Sequence, residues 1–273
     1  MDLERPWGGV WVFALNGVSY LFSSAALLLY RDRSIFELPK GSASLANGSP
    51  IAEAPGSHID DVRKNVRIWR TYTPIVSLTV SAALFNFSLA ITTTLLVPFA
   101  LHDVRIAVWQ VGLLSVPGVL LGVASPAVVP RLETMFGSWL TCFGAQLFSV
   151  LGVCIVCLSA LTPGTRGAVI LSAGLAVLEF SAVCSLVVGR AFRQRVVPAH
   201  RQAGVAGVVR SITWGVDPIG AVFAGAASSH LLGRVPTLVA AGAISAAGAL
   251  VLLRARSEWQ KFDCRDLVSG LDG

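Results

Sequence analysis

Charged side chains are scarce in this sequence. Asp, Glu, Lys and Arg make up 13% of the 273 residues, about half of the roughly 25% that is usual in soluble domains. So little charge cannot cover the surface of a water-soluble protein of this length. The shortage excludes an ordinary soluble domain and favours a protein whose surface faces lipid.

Sequence motifs of enzymes are also missing. The chain contains no HExxH zinc motif, no GxSxG nucleophile turn and no Walker glycine-rich lysine loop. We therefore predict that the protein is not an enzyme and that it needs no cofactor or metal. If it transports a substrate, the energy has to come from an ion gradient.

Cysteine is infrequent, and four of the five cysteines lie inside apolar segments. Cys154 and Cys157 form a CxxC pattern, which in other settings binds metals or exchanges disulfides. Here the pattern has no second ligand pair and falls in the middle of an apolar run. We interpret both as small packing residues and expect no disulfide.

Long apolar runs are abundant. Hydrophobic residues make up 54% of the chain, the mean hydropathy is +0.71, and runs of about 20 such residues can cross a bilayer as helices. We predict an all-α integral membrane protein with about seven transmembrane helices. The predicted spans are residues 8–30, 74–101, 108–129, 139–161, 167–189, 204–231 and 235–253.

The longest connection covers residues 31–73 and changes character along its length. Its first part is rich in Ser, Gly, Pro and Ala, which is typical of a flexible linker. In residues 59–72, apolar side chains recur at helical spacing among charged ones, which predicts an amphipathic helix on the membrane surface. A solvated charged helix is the alternative. The predicted organisation is an isolated transmembrane helix (1–30), a cytoplasmic linker (31–73), a six-helix transmembrane bundle (74–253) and a cytoplasmic tail (254–273).

The distribution of Lys and Arg predicts the orientation of the spans. If the first span starts outside, the inner segments 31–73, 130–138, 190–203 and 254–273 hold 16 Lys and Arg, and the outer segments hold four. Cytoplasmic segments of membrane proteins carry this excess. The net charge of +6 therefore indicates topology in the cell membrane rather than a nucleic-acid partner.

Three stretches resemble parts of major facilitator superfamily exporters of the siderophore and macrolide-efflux type. Residues 130–138 resemble the cytoplasmic signature loop, with Arg131, Phe136 and Gly137 present and Met135 in place of the usual Arg. Residues 13–22 are similar to the sixth helix. Residues 196–220 are similar to the eleventh helix and its approach, in the elements Val197-Pro198, Arg210, Trp214-Gly215 and Pro218-Ile219-Gly220.

The resemblance covers helices six to twelve of a family that has twelve. It implies a C-terminal six-helix bundle with internal pseudo-symmetry, a peripheral preceding helix, and a substrate path shared with an N-terminal half. We expect a proton-coupled efflux transporter for small amphipathic compounds, or part of one, whose N-terminal half is missing and whose partners are the bilayer and the substrate. The alternative is a truncated or accessory membrane half without transport activity of its own.

Three ionisable residues fall inside predicted spans, where charge is costly and usually functional. They are Glu179 in the fifth span, and Arg210 and Asp217, which are seven residues apart on one face of the sixth. Counted from the inner ends of the spans, Glu179 differs in depth from either partner by about 5–6 Å, so an ion pair is feasible. They are candidates for a proton or substrate site, a structural ion pair, or a snorkelling Arg210.

Uncharged polar side chains within the spans form a second group of candidates. Asn16, Asn86 and Gln146 can line a substrate path or make hydrogen bonds between helices. Gly118 and Gly122 form a GxxxG pattern, which permits close contact between helices.

The charge bias gives a direct prediction of topology. A reporter fused after Gly273 should be cytoplasmic, and a reporter placed before Trp7 should be outside. The measurement is the activity of a side-specific reporter fused at each end. Cytoplasmic activity at both ends would contradict an odd number of spans.

Overall fold

The computed structural model describes the backbone of residues 58–261 and the side chains of residues 62–229 and 232–261. The described chain is helical, with no strand. Its helices are α1 (His58–Thr71), α2 (Thr73–His102), α3 (Val108–Leu114), α4 (Val116–Leu158), α5 (Thr165–Val196), α6 (Gln202–Gly215), α7 (Asp217–Ala226) and α8 (Arg234–Arg254). The predicted span 8–30 with Asn16, most of the linker and residues 262–273 lie outside the described residues.

Helices long and apolar enough to cross a membrane dominate the described chain. There are four such stretches within residues 58–261, Thr73–His102, Val108–Leu161, Thr165–Val196 and Arg234–Arg254. The all-helical prediction is thus confirmed for these residues, and the lengths are compatible with a multi-pass membrane protein. The number of spans and the superfamily architecture stay predictions.

The longest stretch reverses direction at Gly137. This residue has φ 78° and ψ 162°, a left-handed conformation that glycine adopts without steric cost. Gly118 lies against Ala176 and Glu179 of α5, whereas Gly152, after the reversal, lies against Gly174 and Leu178. Because both glycines meet α5 at the same height, the two arms of α4, residues 116–136 and 138–158, run in opposite directions.

Two helix ends differ from the boundaries that hydropathy predicts. α5 continues to Val196, seven residues past the predicted span, and ends where Pro198 holds the preceding Val197 in an extended conformation (φ −92°, ψ 129°). The predicted span 204–231 is divided into α6 and α7 at Val216. Pro218 explains the break, because it lacks the backbone donor that would continue the helical hydrogen bonding.

The segments that the charge bias assigns to the inside meet at one end of the bundle, here called the basic end. Trp259, which follows α8, is fully buried there and donates from Nε1 to Ser77 Oγ at 3.1 Å. Its ring lies 4.4 Å from that of Phe192 on α5. Trp69 of α1 donates to Thr79 Oγ1 at 3.0 Å, which docks α1 on the same end.

The opposite end holds the segments that the charge bias assigns to the outside. Arg234, at the start of α8, pairs with Asp103 after α2 at 2.5 Å. The amide of Gly164, before α5, donates to the carbonyl of Val104 at 2.7 Å. Since the two sets of predicted segments meet at different ends, the helices run back and forth between them, as the side assignments require.

Small residues set the distance between α5 and the second arm of α4. A Cβ atom on Gly174 would lie 2.9 Å from the carbonyl oxygen of Gly152 and 2.9 Å from the amide nitrogen of Val156. These neighbours are backbone atoms, which cannot move aside as a side chain can. The two helices therefore approach to backbone contact at a pair of glycines.

This contact makes Gly174 intolerant of a methyl group. We expect Gly174→Ala to destabilise the bundle by about 1–3 kcal/mol, since overpacking forces the backbones apart. The matched control is Gly144→Ala, because a Cβ at Gly144 would meet nothing within 4 Å. The measurement is the thermal midpoint of the purified protein in detergent, and equal midpoints for the two variants would contradict the close packing.

Candidate functional site

A cleft of about 260 Å³ opens among α2, α5 and α6, with the second arm of α4 at its base. Its walls are mainly apolar and include Leu78, Phe85 and Leu89 of α2 and Leu186 of α5. This is the shape and lining of a small-molecule site, in which an apolar wall carries a few placed polar groups.

The base of the cleft is formed by Gln146, one of the predicted polar candidates. Gln146 is 2% exposed. Its Oε1 accepts from Ser81 Oγ at 3.2 Å, and its Nε2 donates to the Ser245 carbonyl at 3.0 Å and to Ser245 Oγ at 3.1 Å. One amide thus joins α2, α4 and α8, so Gln146 both borders the cleft and makes the interhelical hydrogen bonds that were its alternative role.

Asn86 borders the same cleft at the break between α6 and α7. Its Nδ2 donates to the carbonyl of Thr213 at 2.8 Å. Near this point Pro218 interrupts the helical hydrogen bonding, and in lipid a backbone carbonyl without a donor is costly. Asn86 therefore ties α2 to α6 at the carbonyl next to that of Trp214, whose helical donor is the one that Pro218 lacks.

Three arginines stand together at the basic end of the cleft. Arg190 and Arg193 project from α5 and Arg210 from α6. They lie close enough for Arg193 to be repelled by the other two. Among the described residues no Asp or Glu lines the cleft, and none of the three arginines takes part in a salt bridge there. The Arg210 guanidinium lies 5.7 Å from the ring centroid of Trp214.

Glu179 and Asp217 lie just beyond the cleft on facing helices. Glu179 is exposed and precedes Ala182 and Val183 of the cleft wall by three and four residues, so it shares their face of α5. Asp217 is half-buried and follows Thr213 of the other wall by four residues. Neither carboxylate forms an ion pair with Arg210 in the structure. The pairing that the sequence made feasible is therefore not formed.

The signature-loop residues lie at the basic end, outside the cleft. Gly137 makes the reversal, while Arg131 and Phe136 are exposed. The residue that holds the turn is Glu133, which accepts from Ser138 Oγ at 2.7 Å and pairs with Arg195 of α5. This pairing fixes the turn of α4 to the end of α5.

Sequence reasoning missed Arg190 and Arg193 as site residues because it counted them as loop charges. The helical register of α5 could have identified them. Arg190 and Arg193 follow Leu186 by four and seven residues, so extending the helix past residue 189 places both on the same face as the cleft wall.

The described residues hold no group of three His, Cys, Asp or Glu side chains that could bind a metal.

The Asn86 contact predicts a measurable loss of stability. We expect Asn86→Ala to lower the unfolding free energy by about 0.6–1.7 kcal/mol, the range of hydrogen bonds between membrane helices. Thr93→Ala is the control, because the Thr93 hydroxyl is exposed and bonds only to carbonyls of its own helix. Titration with a denaturing detergent measures both, and a loss no larger than that of the control would contradict the bridging role.

The arrangement as a whole can bind an amphipathic molecule, with apolar walls for its body and polar groups placed along one side. It offers no nucleophile with an adjacent base within the cleft lining. Comparison with known proteins gives no further assignment: no family model, no curated protein and no solved structure matches this chain.

Proposed function

We propose that this chain is a secondary transporter, or part of one, that moves small amphipathic compounds across the cell membrane. The observation that carries the proposal is the cleft among α2, α5 and α6, which brings apolar walls and polar side chains together inside an all-helical, lipid-compatible bundle. Binding sites of secondary transporters lie in such positions between helices. The protein acts as a transporter and not as an enzyme.

The proposed architecture is that of the C-terminal half of a major facilitator superfamily exporter, preceded by one helix. Two features support it. The tight reversal at Gly137 occurs where the sequence resembles the signature loop, and the Pro218 break occurs where it resembles the eleventh helix. The proposed orientation has an external N-terminus and a cytoplasmic C-terminus, in line with the gathering of basic segments at one end.

The proposed energy source is a proton gradient. Glu179 and Asp217 lie on the facing walls, about one turn beyond the cleft. An Asp at the centre of a transmembrane helix costs about 2.5–3.5 kcal/mol on insertion scales, and the cost falls when the carboxylate takes up a proton, because the neutral acid is easier to bury than the anion. A carboxylate beside the substrate path can thus exchange protons in step with the substrate.

The rim of the cleft indicates how the site is completed. Trp214, on the rim, is 60% exposed, and Arg210 beside it is also exposed. An N-terminal half facing this rim would enclose the substrate between two halves, as the resemblance implies. The alternative function, an accessory half without transport of its own, rests on the same exposed rim.

Proton coupling predicts the effect of neutralising each carboxylate. In proteoliposomes with an imposed pH gradient, we expect Glu179→Gln and Asp217→Asn each to slow the movement of an amphipathic fluorescent dye by about tenfold or more, because an amide cannot carry the proton. The control is Glu258→Gln, since Glu258 pairs with Lys261 after α8, away from the cleft.

Two results separate the alternatives. Full activity in both carboxylate variants would contradict proton coupling. Absence of gradient-driven movement with the wild-type chain, when protease protection shows correct insertion, would contradict transport by the chain alone and favour the accessory half.

A further inference from the structure

We propose that the cleft selects amphipathic anions, bound with the charged group on Arg190, Arg193 and Arg210 and the apolar body along α2 and α5. The inference rests on the proposed function and names its substrate class. It starts from three arginines that no described carboxylate of the lining neutralises, at one end of a cavity whose remaining walls are largely apolar.

The arginines lie at the entrance of the cleft and not at its base. Arg193 and Arg190 precede the last residue of α5, Val196, by three and six residues, which is about 5 and 9 Å along the helix. Arg210 is eight residues into α6, about 12 Å from its start. The positive charges therefore occupy a layer within one to two helical turns of the basic end.

Deeper in the cleft the lining changes from basic to apolar. Phe85 and Leu89 of α2 lie beyond the arginine layer, about 18 and 24 Å from the start of α2. A molecule with one charged end and one apolar end fits this gradient in a single orientation. Its head meets the arginines while its body lies against Phe85 and Leu89.

The charge pattern points to an anion. The Arg193 guanidinium is repelled by those of Arg190 and Arg210, and no described Asp or Glu lines the cleft to compensate them. Guanidinium groups bind carboxylates, sulfonates and phosphates through paired hydrogen bonds. An amphipathic cation would meet the same repulsion and find no counter-charge along the lining.

Two sources can supply such an anion, a free amphipathic molecule or the headgroup and chain of an anionic lipid. Both present the same chemistry, an acidic group joined to an apolar body. The rim that carries Trp214 and Arg210 is exposed, so the cleft is accessible to either. The two sources are distinguished by competition with anionic lipid.

The test measures binding of a dansyl-labelled fatty acid and of its uncharged carboxamide to the full chain in phosphatidylcholine nanodiscs. Empty nanodiscs correct for partitioning. We expect the carboxylate to bind at least about tenfold more tightly than the carboxamide, equivalent to about 1.4 kcal/mol. The preference should decline as salt screens the arginines.

Charge-matched variants locate the effect. Replacing Arg190, Arg193 and Arg210 by Gln should abolish the preference, and replacing them by Lys should retain most of it. The control replaces Arg67, Arg70 and Arg254 by Gln, since these are exposed and do not line the cleft, and it should keep the preference. The salt dependence of the wild-type preference still tests the proposal if the Gln variant does not fold.

Equal binding of the two probes to the wild-type chain, or equal loss of the preference in the control variant, would overturn the proposal.

Substituting phosphatidylglycerol for part of the lipid identifies the source of the anion. Displacement of the carboxylate probe indicates a lipid ligand, and retention indicates a free anion. Charge-selective binding without transport would reject only the proposed function. Transport that does not distinguish the two probes would reject only the anion selectivity.

Discussion

In an apolar bundle, each backbone donor and acceptor has to find its partner within the chain, because hydrocarbon supplies none. The helices meet this requirement along their length, and the rest of the structure meets it where helices are interrupted. Asn86 donates to a carbonyl next to the break at Val216. The buried hydroxyls of Ser77, Thr79 and Thr92 all donate to carbonyls of their own helix. These three hydroxyls therefore have backbone partners, whereas the buried Ser181 Oγ has no hydrogen-bond partner within the described residues.

The close approach of helices depends on small side chains at the contacts and on hydrogen-bond partners for the polar groups beside them. The contact of Gly152 with Gly174 brings two backbones together, and Gly248 makes room for the Gln146 amide beside Ser81. That amide links three helices through its own hydrogen bonds. This packing closes the base of the cleft that α2, α5 and α6 line.

The helical character and the apolar segments could be predicted from composition, because hydropathy reports the lipid environment directly. Predicted bounds of 74–101 and 235–253 lie within a residue or two of the observed helices Thr73–His102 and Arg234–Arg254. The extension of α5 to Val196 could not be found from hydropathy, since Arg190 and Arg193 are as polar as loop residues. Their placement depends on tertiary packing, because the buried Phe192 between them contacts Trp259.

Part of the candidate site could also be predicted from the sequence. Asn86, Gln146 and Arg210 are recognisable because polar side chains within apolar runs are exceptional, and all three border the cleft. Depth along a helix placed Glu179 between Arg210 and Asp217, about 5–6 Å from either, but depth carries no information on lateral distance. In the structure Glu179 extends from α5, whereas Arg210 and Asp217 extend from α6 and α7 on the opposite wall, and neither carboxylate joins Arg210 in an ion pair.

The reversal at Gly137 has a consequence for biogenesis. Two apolar arms joined by one residue with positive φ form a hairpin without an intervening loop, so we expect the two arms to enter the membrane as one unit. The turn carries Arg131 and Glu133, and these charges hold it at the aqueous boundary while both arms enter together. We expect α5 to pack against this hairpin as a unit, since it contacts both arms, at Gly118 and at Gly152.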